Sequence, residues 1–327
     1  MEEIEILDFD DQEPDILDLY GEDITAKSYI TDPAIAREEA IKRLTMILLT
    51  PEKSALLVGK PGIGKTAIVE GLAYLIQKNA VPNTIQGYRI VKLNSTSLIG
   101  KINVSGKEEL VISVLVRQIK KLSKTILFID EIHTLMGTKD GNPMDLANIL
   151  KPALDRGDIK VIGATTTIEY DTYIIRDRAF LRRFEKIEIG EPTEATTVKI
   201  LMGSLPKIEK QTGIKMRYND YVNSLLMESI VSATSEFKRI YGLSAMYPDI
   251  AFSVLTAAFS EALFQNKNEV DIVDVYNAIK NSKRIYPDSI IKELEAFRKK
   301  FAKFCIEQQV ELPVVTIDEI KGESDLY

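Results

Sequence analysis

Apolar and polar positions repeat with two different periods along this chain. Five short runs are apolar on both faces: Ser54–Val58 (SALLV), 88–93 (YRIVKL), 125–130 (TILFID), 160–165 (KVIGAT) and 186–189. Such runs predict the strands of a parallel sheet covered on both sides. Between them, apolar residues recur at helical spacing: from Asp32 into an amphipathic helix ending near Leu49, then over 67–77, 107–122 and 146–153, the last interrupted by Pro152. Strands alternating with helices predict an α/β fold with crossover helices on both faces of the sheet. From Glu191 onward the strand signals stop. Segments 196–205, 218–237, 249–264 and 271–279 all carry the helical period, which predicts a smaller α-helical domain. A further charged helix is expected over 289–307, and PVVTI at 313–317 suits an edge strand. The expected divisions are an acidic arm over 1–23, a large α/β domain over 24–190, a small helical domain over 191–285, and a C-terminal helix and tail over 286–327.

One turn in this pattern carries chemistry. Between the first strand and its helix lie Gly59, Lys60, Pro61, Gly62, Ile63, Gly64, Lys65 and Thr66, at the spacing of a P-loop, with Ala67 opening the helix. The glycines allow several N–H groups to face one concavity, and the helix start adds its positive dipole. Lys65 is placed to reach the β and γ phosphates of ATP, and the Thr66 hydroxyl to hold Mg²⁺. The strand at 125–130 ends in Asp130 followed by Glu131. An acid at the tip of a buried strand beside the P-loop suits Mg²⁺ coordination, and a second acid can serve as base toward a water.

Composition narrows the setting. Charged residues make up 28% and apolar residues 45% of the 327 positions, a globular balance long enough for two domains. The single cysteine, Cys305, excludes an internal disulfide and fits a reducing cytosol; no membrane span or signal segment is visible. The lone histidine, His133, reads as structural. The net charge of −7 is uneven. Residues 1–23 hold eleven acids and no base, leaving 38 acids against 42 bases elsewhere. That arm, with Ile4, Ile6, Leu7, Ile16 and Leu17 among its acids, fits either a solvated tail or an acidic–apolar segment that orders on a partner or a neighbouring subunit.

Taken together, DPAIAREEAIKRL from Asp32, GKPGIGKTAIVEGLA from Gly59, ILFIDEIHTLMG from Ile126, the GATTTIEYDTYI stretch from Gly163, RAFLRRFEKIEIGEPT from Arg178 and YPDIAFSVL from Tyr247 resemble the first ATPase module of Clp-type AAA+ unfoldases. The resemblance runs over roughly residues 30 to 300. It implies that Ile35 and Ala36 line the adenine pocket, with Ala36 standing where the family has glycine. Ile200 and Pro248 close that pocket from the small domain. Thr166 takes the polar sensor position at the γ-phosphate, and Arg182 and Arg183 act as fingers on the neighbouring subunit's ATP. Ile250 stands where a basic residue is usual, so no second sensor arginine is assigned. ATP and Mg²⁺ are expected between the two domains, in a homo-oligomer that is a hexameric ring or an open spiral.

The resemblance weakens at 100–106, where Val104 replaces an aromatic that grips substrate, and a valine offers no flat ring. The expected function is therefore a ring-forming ATPase that remodels a protein substrate or an adaptor-bound partner. Two alternatives stay open. One is an ATPase acting with nucleic acid through Lys101 and Lys107, disfavoured by the acidic balance. The other is an ATP-gated scaffold that threads nothing.

Overall fold

The computed structural model describes residues 8–9, 15–119, 124–136, 147–157, 159–240, 246–316 and 319–320. They divide into two compact units. One runs up to Lys60 and over Gly64–Gly190; the other comprises Pro61–Ile63 and the chain from Glu191.

The first unit contains, in order, β1 (Asp8–Phe9), α1 (Ile16–Tyr20), β2 (Gly21–Asp23), α2 (Glu38–Leu49), β3 (Ser54–Val58), α3 (Lys65–Gln77), β4 (Arg89–Leu93) and α4 (Ser95–Ile99). There follow β5 (Lys101–Val104), β6 (Lys107–Leu110), α5 (Val111–Ile119), β7 (Thr125–Ile129), α6 (Ala147–Asp155), β8 (Lys160–Thr165), α7 (Thr167–Glu169), α8 (Arg178–Leu181) and β9 (Phe184–Glu188). The main sheet has the order β2-β4-β7-β8-β3-β9, and every strand except the edge strand β2 runs parallel to its neighbours. All five residues of β3 and of β7 are buried, as their unbroken apolar runs require. β8 lies between β3 and β7, so the strand ending in Asp130 is not the immediate neighbour of the P-loop strand; the end of β8 separates them.

Four local expectations are corrected. Residues 15–23 of the acidic arm are built into this unit. Ile16 and Leu17 are buried, Asp15 caps α1 by accepting from the Leu17 and Asp18 amides, and β2 pairs with β4. Residues 1–7 and 10–14 of the arm lie outside the described residues, while the β1 backbone pairs with β5. The helix expected over 107–122 begins only at Val111, because 107–110 form β6 of a hairpin with β5. Val104 pairs with Lys107 across a two-residue turn, Ser105 and Gly106, both at positive φ (50° and 78°). That conformation matches the right-handed twist of a hairpin.

The second unit contains α9 (Glu194–Thr212), β10 (Lys215–Met216), α10 (Asp220–Ala233), α11 (Asp249–Phe264), β11 (Glu269–Val270), α12 (Ile272–Lys280), α13 (Pro287–Lys300) and α14 (Ala302–Glu307), with β10 and β11 paired in parallel. The third and fourth corrections lie here. The long helix expected over 289–307 is broken at Phe301, a residue 2% exposed that anchors the bend in the core. Ile290, Leu294 and Phe297 of α13 join the same core as Leu226, Leu255 and Tyr276. Residues 311–316 form no strand, and 317 lies outside the described residues. The segment is held instead by Leu312 in the core and by the Tyr276 hydroxyl, which donates to the Pro313 carbonyl at 2.7 Å.

Candidate nucleotide site

The P-loop begins where β3 ends. The Gly59 amide donates to the Thr165 carbonyl at 3.3 Å, which ties the loop to β8. Gly62 and Gly64 both take left-handed backbone (φ 73° and 97°), a region open to glycine without steric cost. Pro61 and Gly62 are exposed and Ile63 is buried. Gly64 is the N-cap of α3, and its carbonyl accepts from the Ile68 amide at 3.1 Å. Lys65, Thr66 and Ala67 therefore occupy the first turn, where the helix presents unpaired amides and its positive dipole.

The Lys65 ammonium donates to the carbonyls of Gly59 (2.8 Å) and Lys60 (3.2 Å). Burial pulls its pKa below the ordinary lysine value, against the opposing pull of the Asp130 and Glu169 charges. The Thr66 hydroxyl donates to Asp130 Oδ2 at 3.2 Å, although a whole strand separates their parent strands. A hydroxyl and a carboxylate meeting at the mouth of a P-loop form the hard-oxygen donor set that Mg²⁺ prefers. Asp130 Oδ1 accepts from the Glu131 amide at 3.1 Å. Glu131 is exposed and itself left-handed (φ 53°), a costly conformation for a non-glycine residue and a kind found at functional sites.

At the end of β8, Thr165 is buried and Thr166 caps α7, its hydroxyl oxygen accepting from the Glu169 amide at 3.3 Å. Glu169 answers with its carboxylate, which accepts from the Thr166 amide at 2.9 Å. Arg182 and Arg183 follow α8 side by side, yet Arg182 is exposed and Arg183 only 6% exposed. The Arg183 guanidinium donates back to the Ala179 carbonyl. Of the adenine-pocket positions, Ile35 and Ala36 lie half-buried in the first unit, just before α2. Ala36 has φ 56°, which explains a glycine preference at this position. In the second unit Ile200 is buried in α9, and Pro248 is the N-cap of α11.

Residues 55–190 match the ATPase family associated with various cellular activities (AAA). The chaperone protein ClpB of Wolinella succinogenes is 38% identical over 265 residues, covering 80% of this chain and 30% of the relative. ClpB of Helicobacter hepaticus is 33% identical over 338 residues, covering 95% of this chain and 38% of the relative. A closed-state cryo-EM structure of Hsp104 with ATPγS and FITC-casein superposes with a TM-score of 0.71 at 33% identity, over 95% of this chain and 52% of that one. The chain carries an AAA ATPase domain over residues 55–190 and is similar along most of its length to Clp-type AAA+ proteins. It spans about a third of the length of these curated ClpB relatives.

In this AAA domain one group of residues escaped the reading of the sequence. Glu169 Oε2 lies 3.1 Å from the Thr165 hydroxyl and 3.1 Å from His133 Nδ1, and the His133 ring stacks on Tyr173 with centroids 5.9 Å apart. Half of the signal was available: T-x-x-E from Thr166 to Glu169 is a capping box. The His133 partner, from the turn after β7, was not available, because it depends on strand order.

Proposed function

We propose that the chain binds ATP with Mg²⁺ at its P-loop and hydrolyses it. We further propose that turnover within a homo-oligomer, a hexameric ring or spiral, remodels a protein partner in the cytoplasm, directly or through an adaptor. The observation that carries this reading is the convergence of Thr66 on Asp130 beside the Lys65 ammonium. Lys65 binds the β and γ phosphates, and Thr66 and Asp130 hold the cation. When bound, Mg²⁺ offsets charge on the phosphate oxygens. Glu131 accepts a proton from the attacking water, and Thr166 donates its hydroxyl hydrogen toward the γ-phosphate. Arg182 and Arg183 belong to the neighbouring copy's site, with Arg182 the exposed member of the pair. Ile35, Ala36, Ile200 and Pro248 contact the adenine.

A protein partner is supported by the relatives themselves. ClpB is named a chaperone, and two of the Hsp104 structures contain casein. The comparisons lend nothing to the nucleic-acid alternative. No helix among the described residues is long and apolar enough to cross a membrane. The test is Glu131→Gln purified in ATP and Mg²⁺, with bound nucleotide assayed chemically, particle mass by mass photometry, and co-purifying material by mass spectrometry. The expected result is an ATP-loaded oligomer holding a defined protein. A particle that takes up no ATP, or one that holds nucleic acid in place of protein, would overturn the reading.

A further inference from the structure

Glu169 concentrates three donors on a single carboxylate oxygen. The Thr166 amide lies 2.9 Å from Oε2, the Thr165 hydroxyl 3.1 Å and His133 Nδ1 3.1 Å. These donors come from the last residue of β8, from the first residue beyond it, and from the turn that follows Asp130 and Glu131. Thr165 Oγ1 is also 3.3 Å from His133 Nδ1, so the cluster closes on itself. Tyr173 covers the outer side, its ring stacked on the imidazole at an interplanar angle of 23°. A capping box that served only a three-residue helix would need Thr166 and Glu169 alone. The two extra donors join the tip of the β7 segment to the tip of β8.

We propose that Glu169 is a positioning residue for ATP hydrolysis, which fixes the Thr166 hydroxyl and, through His133, holds it in register with the turn that carries Glu131. This rests on the reading of the P-loop as an ATP site. The chemistry follows from the inventory of a hydroxyl, which has one hydrogen to donate and two lone pairs. Thr166 Oγ1 already accepts from the Glu169 amide, so the lone-pair side is anchored in α7 and the O–H is left to donate. Meanwhile the carboxylate grips the Thr166 amide, so backbone and side chain of that residue are held from the same partner. His133 lies two positions beyond Glu131. Its bond to Glu169 therefore sets the spacing between the proposed base and the proposed sensor, which must address the same γ-phosphate from two strands. Glu169 is suited to the task at neutral pH. Burial works against its charge, but the Thr166 amide, the His133 ring and the Thr165 hydroxyl outweigh it and hold the carboxyl below the usual range. The same negative charge favours the ammonium form of Lys65.

The test compares Glu169→Gln, Thr166→Ala and the double variant with the wild-type chain. It reads kcat and KM for ATP, affinity for a fluorescent ATP analogue, and the melting temperature. Glutamine keeps an acceptor of similar shape but not its charge. We expect kcat to fall about 10-fold in Glu169→Gln, with KM and nucleotide affinity within about twofold, and the double variant to be no slower than Thr166→Ala alone. Losses in kcat that multiply in the double variant, an unchanged kcat in Glu169→Gln, or a lowered melting temperature with no change in kcat would overturn the proposal. A second variant, His133→Phe, keeps the stack on Tyr173 and removes the bond to Glu169. It should lower kcat about threefold when Thr166 is present and not when it is absent. Equal effects in both backgrounds would refute the coupling. A wild-type chain that binds no ATP, or binds it without turnover, would remove the ATPase reading itself, a result distinct from any change among the variants.

Discussion

Gly71 is where α3 meets the segment that carries Ile35 and Ala36. A Cβ at this position would lie 2.3 Å from the Ala34 Cβ and 2.8 Å from Ile41 Cδ1. Two effects of opposite sign decide what Gly71→Ala does. Alanine is the better helix former by about 1 kcal/mol. Against this, filling space that is already occupied costs about 1–3 kcal/mol. Ile41 can turn its terminal methyl aside, but the Ala34 Cβ is fixed to a backbone whose amide is itself held by Asp32 Oδ1 at 2.8 Å. The clash therefore moves the loop, and the upper part of the range applies, leaving a net loss of about 1–2 kcal/mol. For a unit of this size that lowers the melting temperature by about 2–8 °C. Because the displaced loop holds two residues of the proposed adenine pocket, affinity for ATP should fall as well. Scanning calorimetry and titration with a fluorescent ATP analogue read the two effects. A melting temperature that rises by the few degrees helix propensity alone would give, with nucleotide affinity intact, would refute the close packing of α3 on Ala34.

Other consequences can be checked in parallel. Lys65→Ala should abolish ATP binding while leaving the secondary structure intact by circular dichroism. Arg182→Ala should lower turnover by about 10³ without a change in melting temperature, since the side chain is exposed and the proposed finger acts on the transition state. Arg183→Ala, by contrast, should also lower the melting temperature, because loss of a buried donor to Ala179 costs about 1–3 kcal/mol. Acid should destabilise the first unit. Burial opposes ionisation of Asp177, but Lys151 at 2.8 Å and the Phe180 amide outweigh it, so its carboxyl lies below the usual range, as does that of Glu169. Groups with lowered folded values contribute fully above about pH 4 and lose that contribution as pH falls through the folded value. Urea midpoints should accordingly drop as pH falls below about 4, and Asp177→Asn should flatten that slope.

What could be read in the chain was whatever depends on neighbours in sequence. The spacing of Gly59, Gly62 and Gly64 reported a turn with positive φ before a helix, and an apolar run ending in Asp130 reported a buried strand with an acid at its tip. What could not be read depends on partners across the fold. Lys107–Leu110 (KEEL) has good helix formers, yet cross-strand pairing through the Ser105–Gly106 turn outweighs propensity. Eleven acids hid Ile16 and Leu17, two residues whose burial ties the arm into the sheet unit. Arg182 and Arg183 look equivalent side by side. Arg183, however, follows Phe180 by three positions, nearly one helical turn, and so turns inward with Phe180 and Phe184 while Arg182 faces out. Thr165 and Glu169 are only four positions apart, but His133 joins them because β7, which leads into its turn, lies beside β8.

The same distinction bears on threading. Val104 occupies the position where a substrate-gripping aromatic was expected, and the segment is a β-strand of a hairpin with no open loop before the turn. Its side chain is half-buried and packs against the core cluster that includes Ile102, Val111 and Leu115. A residue that packs inward contributes stability, at about 0.8 kcal/mol for each buried methylene-sized group. Val104→Ala should therefore cost about 1 kcal/mol, reduced by its partial exposure, and should leave ATP-driven action on a captured protein at the wild-type rate per ATP hydrolysed. The measurement pairs a melting curve with unfolding of the partner identified by the Glu131→Gln capture. If Val104→Ala left the melting temperature unchanged and stopped that unfolding, Val104 would be a gripping residue despite its burial. If stability fell and coupling held, grip would have to come from elsewhere in the module.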